Sequence, residues 1–187
     1  MESRLDTARM TLRRFTEADA GDLAALHGHP DVMRYIGDGR PVPRSVVVGR
    51  QLPRMLREYG EPPRGHGCFA AVRRRSGAFL GWFSLRPATS AGLSGGGTEL
   101  GYRLLPSAWG LGYATEGARA LVHHAFAELG ADRIVATTMT VNTASRRVME
   151  KAGLCLVRTF FEEWPDPIAG AEHGDVEYAL ARERWRG

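Results

Sequence analysis

Lysine is all but missing. Lys151 is the only one among 187 residues, so the formal charge of +4 is carried by arginine. That excess is scattered, and its one run, Arg73-Arg74-Arg75, is too short for a basic arm, so no nucleic-acid partner is expected. A small polyanionic ligand suits the same charge. Cysteine is nearly absent too, with two residues in the whole chain. Cys68 and Cys155 lie far apart in sequence without metal-ligand spacing, which gives no metal site. Both sit in apolar runs and are expected to be small core residues. No apolar run approaches the roughly 18–20 residues that cross a bilayer, and Met1-Glu2-Ser3 opens no signal peptide. A cytoplasmic protein without a membrane partner is expected. What remains is ordinary globular composition, 43% hydrophobic and 25% charged, in a length that suits one domain over residues 1–187.

The stretch that organises the rest is Thr98 to Glu116. Strand-like residues from Glu99 to Leu105 break at Pro106, and Trp109-Gly110-Leu111-Gly112-Tyr113 leads into a helical pattern at Ala114-Thr115-Glu116. Two glycines let successive N–H groups point one way, and the helix adds its own unpaired N–H groups and dipole. Such a turn suits phosphate, although many tight strand-to-helix turns carry two glycines only in order to turn.

Ahead of it, Met10 to Phe15 alternates as a strand, and helices are predicted over Leu23 to His27, Asp31 to Ile36 and Ser45 to Tyr59, the last despite Pro53. Cys68 to Arg73 and Ala78 to Leu85 read as a hairpin, with a glycine-rich loop from Ala88 to Gly97 after it. That loop contains Gly92-Leu93-Ser94-Gly95-Gly96. A Gly-x-Ser-x-Gly nucleophile elbow needs a strand before it and a helix after it, and here a strand follows. Past the turn, Ala118, Leu121, Val122, Ala125, Phe126 and Leu129 recur at helical spacing and Gly130 ends the helix. His123 and His124 point about 100° apart on it, which does not suit joint metal binding. A strand from Arg133 to Thr138, a helix from Thr143 to Ala152 opened by Asn142, a long strand from Leu154 to Trp164 and a last strand from Asp175 to Ala181 complete the chain.

Trp109 to Glu116, together with Asn142-Thr143-Ala144-Ser145-Arg146-Arg147-Val148-Met149-Glu150-Lys151-Ala152-Gly153-Leu154 one helix and one strand later, resembles the GNAT superfamily of acyl-CoA-dependent N-acetyltransferases. Tyr113-Ala114-Thr115-Glu116 and the Asn-to-Gly spacing resemble its RimJ/RimL ribosomal-protein N-terminal acetyltransferase branch, as do Met10 to Asp19 and Tyr178 to Trp185. The resemblance implies an α/β fold: a mixed, mostly antiparallel sheet flanked by helices and splayed between its fourth and fifth strands, Thr98 to Leu105 and Arg133 to Thr138, with acetyl-CoA in the gap. It puts the pyrophosphate on the N–H groups of Trp109, Gly110, Leu111, Gly112, Tyr113, Ala114 and Thr115. The pantetheine arm then runs along Tyr102, Arg103, Leu104 and Leu105, with Asn142 at its end. Trp109 stands where the superfamily usually has Gln or Arg, so main-chain donors carry the phosphate. Met149 stands where many members have a proton-donating tyrosine, and methionine cannot donate. Ser145, one turn earlier, resembles the serine given that task in this branch.

Acetyl transfer to an amine needs the amine neutral. At pH 7 this costs an α-amino group roughly 1.4 kcal/mol and a lysine about 4.6 kcal/mol, so a weak base acting through water suffices for the first. Glu99 is the first choice for that base, against a plain solvated strand-end carboxylate; Glu162, Glu163 and His173 flank the last two strands and are the other candidates. The oxyanion is expected on N–H groups near Gly101 to Arg103, freed by a local bulge. Asn142 and Ser145 have a simpler reading as the cap and first turn of their helix. Two other functions compete with acetyl transfer. A dinucleotide fold fails because Thr115 replaces the third glycine and Asp132 precedes its strand. A non-catalytic acyl-CoA-binding module is the stronger one. The acceptor amine, small molecule or protein N-terminus, is open, as is a monomer or a homodimer.

Overall fold

The computed structural model describes residues 4–60, 65–88, 93, 95–162 and 166–187. The strands are β1 (Leu5–Asp6), β2 (Met10–Arg14), β3 (Gly67–Arg73), β4 (Phe79–Pro87), β5 (Thr98–Leu104), β6 (Arg133–Met139), β7 (Cys155–Phe160) and β8 (Asp175–Ala181). The helices are α1 (Ala20–His27), α2 (Pro30–Met33), α3 (Arg44–Val46), α4 (Leu52–Glu58), α5 (Tyr113–Ala127) and α6 (Thr143–Lys151). The strands form one sheet in the order β1-β2-β3-β4-β5-β6-β8-β7, antiparallel throughout except for β5 beside β6. This is the expected α/β architecture, with one strand more than expected: Leu5–Asp6 pairs with β2, which makes the parted strands fifth and sixth.

Pairing across that parallel junction stops almost as soon as it starts. Each strand has seven residues, yet only Thr98↔Ile134 and Glu99↔Val135 are in register. On its other side β5 stays paired with β4 from Pro87↔Thr98 to Gly81↔Leu104 without a shift. The expected bulge in β5 is therefore absent. The parting itself frees main-chain groups, because alternate residues of a strand direct their N–H and C=O groups to opposite neighbours.

Each face of the sheet carries its own core. On one, α5 sends Ala118, Leu121, Val122, Ala125 and Phe126 against Phe69, Phe83, Leu85 and Leu100. On the other, α1, α3 and α4 with their connections cover Cys68, Ala70 and Trp82 with Leu23, Leu26, Val47, Leu52 and Met55. The predicted helix from Ser45 to Tyr59 is interrupted by a π turn, Val47–Gln51, in which the Leu52 N–H reaches back to the Val47 carbonyl. Pro53 explains it: its ring crowds the carbonyl four residues earlier, and a wider turn relieves the crowding. The predicted strand from Leu154 to Trp164 is shorter, ending at Phe160. Cys68 is buried as expected, but Cys155 is exposed, because β7 is the sheet's outer edge.

Helix α5 lies close to the sheet because Gly117 permits it. A Cβ there would stand 2.2 Å from Phe83 Cζ, with two more ring carbons at 2.6 Å. The ring is itself fully buried and cannot swing away. Gly117→Ala is expected to cost about 1–3 kcal/mol through overpacking and to lower the melting temperature by roughly 2–10 °C, as followed by circular dichroism.

Candidate acetyl-CoA and acceptor site

The turn after β5 takes the shape its glycines suggest. Gly110 (φ +70°) and Gly112 (φ +83°) both lie in the left-handed region, and Gly112 is the N-cap of α5. Trp109 spends its N–H on the Pro106 carbonyl, and its indole donates to the Leu104 carbonyl at 2.8 Å. From Gly110 through Thr115, no N–H group has a main-chain partner among the described residues, and the next, Glu116, donates to the Gly112 carbonyl. Six consecutive donors at a helix N-terminus fit a pyrophosphate. Leu105 donates its own N–H to the Leu80 carbonyl, and the Leu104 side chain is buried.

Sequence reasoning missed what holds this turn. Arg9, between β1 and β2, donates from Nη1 to the Leu111 carbonyl at 2.8 Å and from Nε to the Glu116 carboxylate at 2.6 Å. The Thr7 hydroxyl and the Arg9 main-chain N–H donate to the same carboxylate. Burial works to raise the Glu116 pKa, but these hydrogen bonds outweigh it and hold the carboxyl below its usual range. The Arg9 guanidinium also lies 4.4 Å from the centre of the Tyr113 ring. A single arginine more than a hundred residues upstream leaves no local signal. Arg9→Ala is expected to raise KM for acetyl-CoA several-fold with kcat nearly unchanged, read from steady-state kinetics.

The two faces of β5 serve different neighbours. Glu99, Gly101 and Arg103 stand opposite Arg86, Ser84 and Trp82 on β4 and face the α1 to α4 side. Glu99 is half-buried; burial raises its pKa, and the Arg86 charge opposes the rise. Arg86 is in turn held by Glu58 at 3.1 Å. Tyr102 faces the other way, against Phe83, and reaches α6. Its hydroxyl donates to the Ser145 carbonyl at 2.9 Å and lies 2.9 Å from Ser145 Oγ. Burial pushes the Tyr102 phenol up to about 12, against the lowering by Ser145. Asn142 caps α6: its Oδ1 accepts from the Ser145 N–H at 3.3 Å, and its Nδ2 donates to Thr138 Oγ1 at 3.0 Å. Met149 is buried. The base and acid candidates thus stand on opposite faces of the strand that borders the gap.

Of the other candidates, Glu162 is exposed and close enough to Asp175 to help raise its pKa, although burial contributes more to that rise. His173 is exposed beside Glu172, and Glu163 lies outside the described residues, as do Gly92 and Ser94. A cavity of about 570 Å³ opens between Pro30, Arg34 and Arg40 on one side and Asp166 and Ile168 on the other. Among the described residues no group of His, Cys, Asp and Glu could hold a metal, and no helix is long and apolar enough to cross a membrane.

The Acetyltransferase (GNAT) domain family matches residues 9–154. A protein of Aspergillus fumigatus called FsC-acetyl coenzyme A-N(2)-transacetylase is 36% identical over 185 residues, covering 97% of this chain and 77% of that protein. YkkB of Bacillus subtilis, of uncharacterised function, is 31% identical over 90% of this chain and 94% of its own length. In structure, a GNAT-family acetyltransferase from Bacillus anthracis superposes with a TM-score of 0.77 at 22% identity, covering 96% of this chain and 99% of that one. An acetyltransferase from Agrobacterium tumefaciens gives 0.71 at 24%, over 95% and 93%. The matched span takes in the glycine turn, both parted strands and the helix that carries Ser145, so the chain is an enzyme of the GNAT acetyltransferase family, with acetyl-CoA as the implied co-substrate.

Proposed function

We propose that the enzyme moves an acetyl group from acetyl-CoA to a primary amine by direct attack. The observation that carries this reading is the parting of β5 from β6 immediately beyond Glu99, above a turn of six N–H groups without a main-chain partner among the described residues. The turn holds the pyrophosphate, the freed edge of β5 near Tyr102 takes the pantetheine arm, and Asn142 meets its end. Glu99, acting through water, accepts a proton from the amine; the nitrogen attacks the thioester carbon, and the carbon–sulfur bond breaks. Gly101 and Arg103 direct their N–H groups to β4, so the oxyanion is stabilised by gap-facing main-chain N–H groups from Tyr102 onward. Ser145, held by Tyr102, returns a proton to the departing thiolate. The Aspergillus relative's name gives it transfer from acetyl coenzyme A to an N(2) position, which supports an amine as the acceptor here. Within the family, Tyr113 to Glu116 and the Asn142-to-Gly153 spacing favour the RimJ/RimL-like branch.

Thiol release from acetyl-CoA, measured against peptides with free N-termini, amino acids and polyamines, tests the reading. Acceptor-dependent release is expected; acetyl-CoA binding without it would leave a binding module. Ser145→Ala is expected to lower kcat by more than it changes acetyl-CoA affinity, and an unchanged kcat removes Ser145 from the mechanism.

A further inference from the structure

Among the described residues, Arg103 is a cation without a counterion. Its guanidinium reaches from β5 towards α2, where Nη1 meets the Met33 sulfur at 3.5 Å, and it lies 5.1 Å from the centre of the Trp82 ring. Its Nε is buried with no hydrogen-bond partner, and among the described residues no carboxylate pairs with it. Arg86, whose charge acts on Arg103, already has Glu58. Thioether sulfur is a weak acceptor, and an aromatic face offsets only part of the cost of drawing a guanidinium out of water.

The residues behind Arg103 fix its place. Trp82 Nε1 donates to His27 Nε2 at 3.0 Å, and His27 Nδ1 lies 2.6 Å from Gln51 Oε1. An amide oxygen can only accept, so Nδ1 carries the proton and Nε2 is free to receive the indole. Burial, helped by the Arg103 charge, lowers the His27 pKa to about 4 against the Gln51 hydrogen bond. The chain Gln51–His27–Trp82 therefore keeps one tautomer at neutral pH and presents the indole face to Arg103. Arg103 shares its face of β5 with Glu99 and Gly101, and strand geometry puts it about 7 Å beyond Gly101.

We infer that Arg103 anchors a carboxylate carried by the acceptor, so that this enzyme acetylates amino acids or related amino-carboxylates in preference to simple amines. The inference rests on the amine-acetylation reading above. An amine poised at Gly101 between the thioester and Glu99 leaves a carboxylate a few bonds away within reach of the guanidinium, where it supplies the missing charge. Arg103 spends its own main-chain groups on Trp82 of β4, in the same alternation that sends the Leu105 N–H to Leu80, so the pantetheine arm is left to Tyr102 and Leu104 and does not draw on Arg103 as the sequence suggested.

The test pairs compounds that differ by one carboxylate. With CoA present, calorimetry compares N-acetylphenylalanine with N-acetylphenethylamine, N-acetyltryptophan with N-acetyltryptamine, and N-acetylornithine with N-acetylputrescine. At least one carboxylate compound is expected to bind about tenfold or more tightly than its partner. Arg103→Gln should erase that difference while leaving CoA affinity within about twofold, and Arg103→Lys should keep part of it. Equal binding by the wild type in every pair overturns the inference, as does a variant that weakens both partners alike or weakens CoA instead. Should Arg103→Gln not fold, the wild-type ratios and Arg103→Lys decide. Thiol release with the parent amines is scored separately: no turnover with any amine defeats the acetyl-transfer reading, whereas turnover without carboxylate preference defeats only the role of Arg103.

Discussion

Glu99→Gln is expected to lower kcat/KM for an amine acceptor by about 10²–10⁴-fold, the span of a positioned general base, with acetyl-CoA affinity held within about twofold. Glutamine keeps the shape and loses the basic oxygen, so the loss reports proton transfer. Glu99 must be ionised to act, and its pKa lies above the ordinary carboxylate value because burial outweighs the attraction of Arg86. The acid limb of the kcat/KM profile should accordingly fall above pH 4.5, the ordinary glutamate value. Arg86→Gln tests the sign. Removing a cation that lowers the Glu99 pKa must raise it, so the limb should move to higher pH, while in Glu99→Gln it should vanish. A limb that stays put in Arg86→Gln, or persists in Glu99→Gln, assigns the base to another group.

The other large effect belongs to the turn. Gly112 has φ +83°, and a Cβ there would stand 3.3 Å from Arg9 Nη2, whereas Gly110, at φ +70°, has open space where its Cβ would be. A side chain in the left-handed region costs roughly 1–2 kcal/mol. If that strain falls on ligand binding, Gly112→Ala should raise KM for acetyl-CoA about 5–30-fold with kcat largely kept. Gly110→Ala should do less, because it carries the backbone strain without displacing Arg9. Gly110→Asn should do less again, since asparagine tolerates this conformation. Steady-state kinetics with acetyl-CoA varied gives all three values. Equal effects at Gly110 and Gly112 would mean that Arg9 takes no part in shaping the turn.

How much of this could be read from the residues depends on how local each cause is. The turn was legible because glycine and the first turn of a helix act within a few residues of chain. Helix α5 was legible because its apolar spacing has one period and one partner. The parting of β5 from β6 was not written in either strand; it came through the family resemblance, since two parallel strands show nothing in sequence of where their pairing stops. The ties that complete the site were hidden for the same reason. Arg9 reaches Leu111 and Glu116, Tyr102 reaches Ser145, and Gln51, His27, Trp82 and Arg103 come from four separate elements. A capping role for Asn142 was legible and is present, while its place beside the cofactor remains part of the proposal. Cys155 misled because an apolar strand at the edge of a sheet reads like one inside it.

A crystal structure with CoA bound tests the central claim most directly. The account predicts the pantetheine arm between β5 and β6 beyond Glu99, and pyrophosphate oxygens about 2.7–3.2 Å from N–H groups within Gly110 to Thr115. Coenzyme A seated elsewhere, with the gap between the two strands empty, would contradict it.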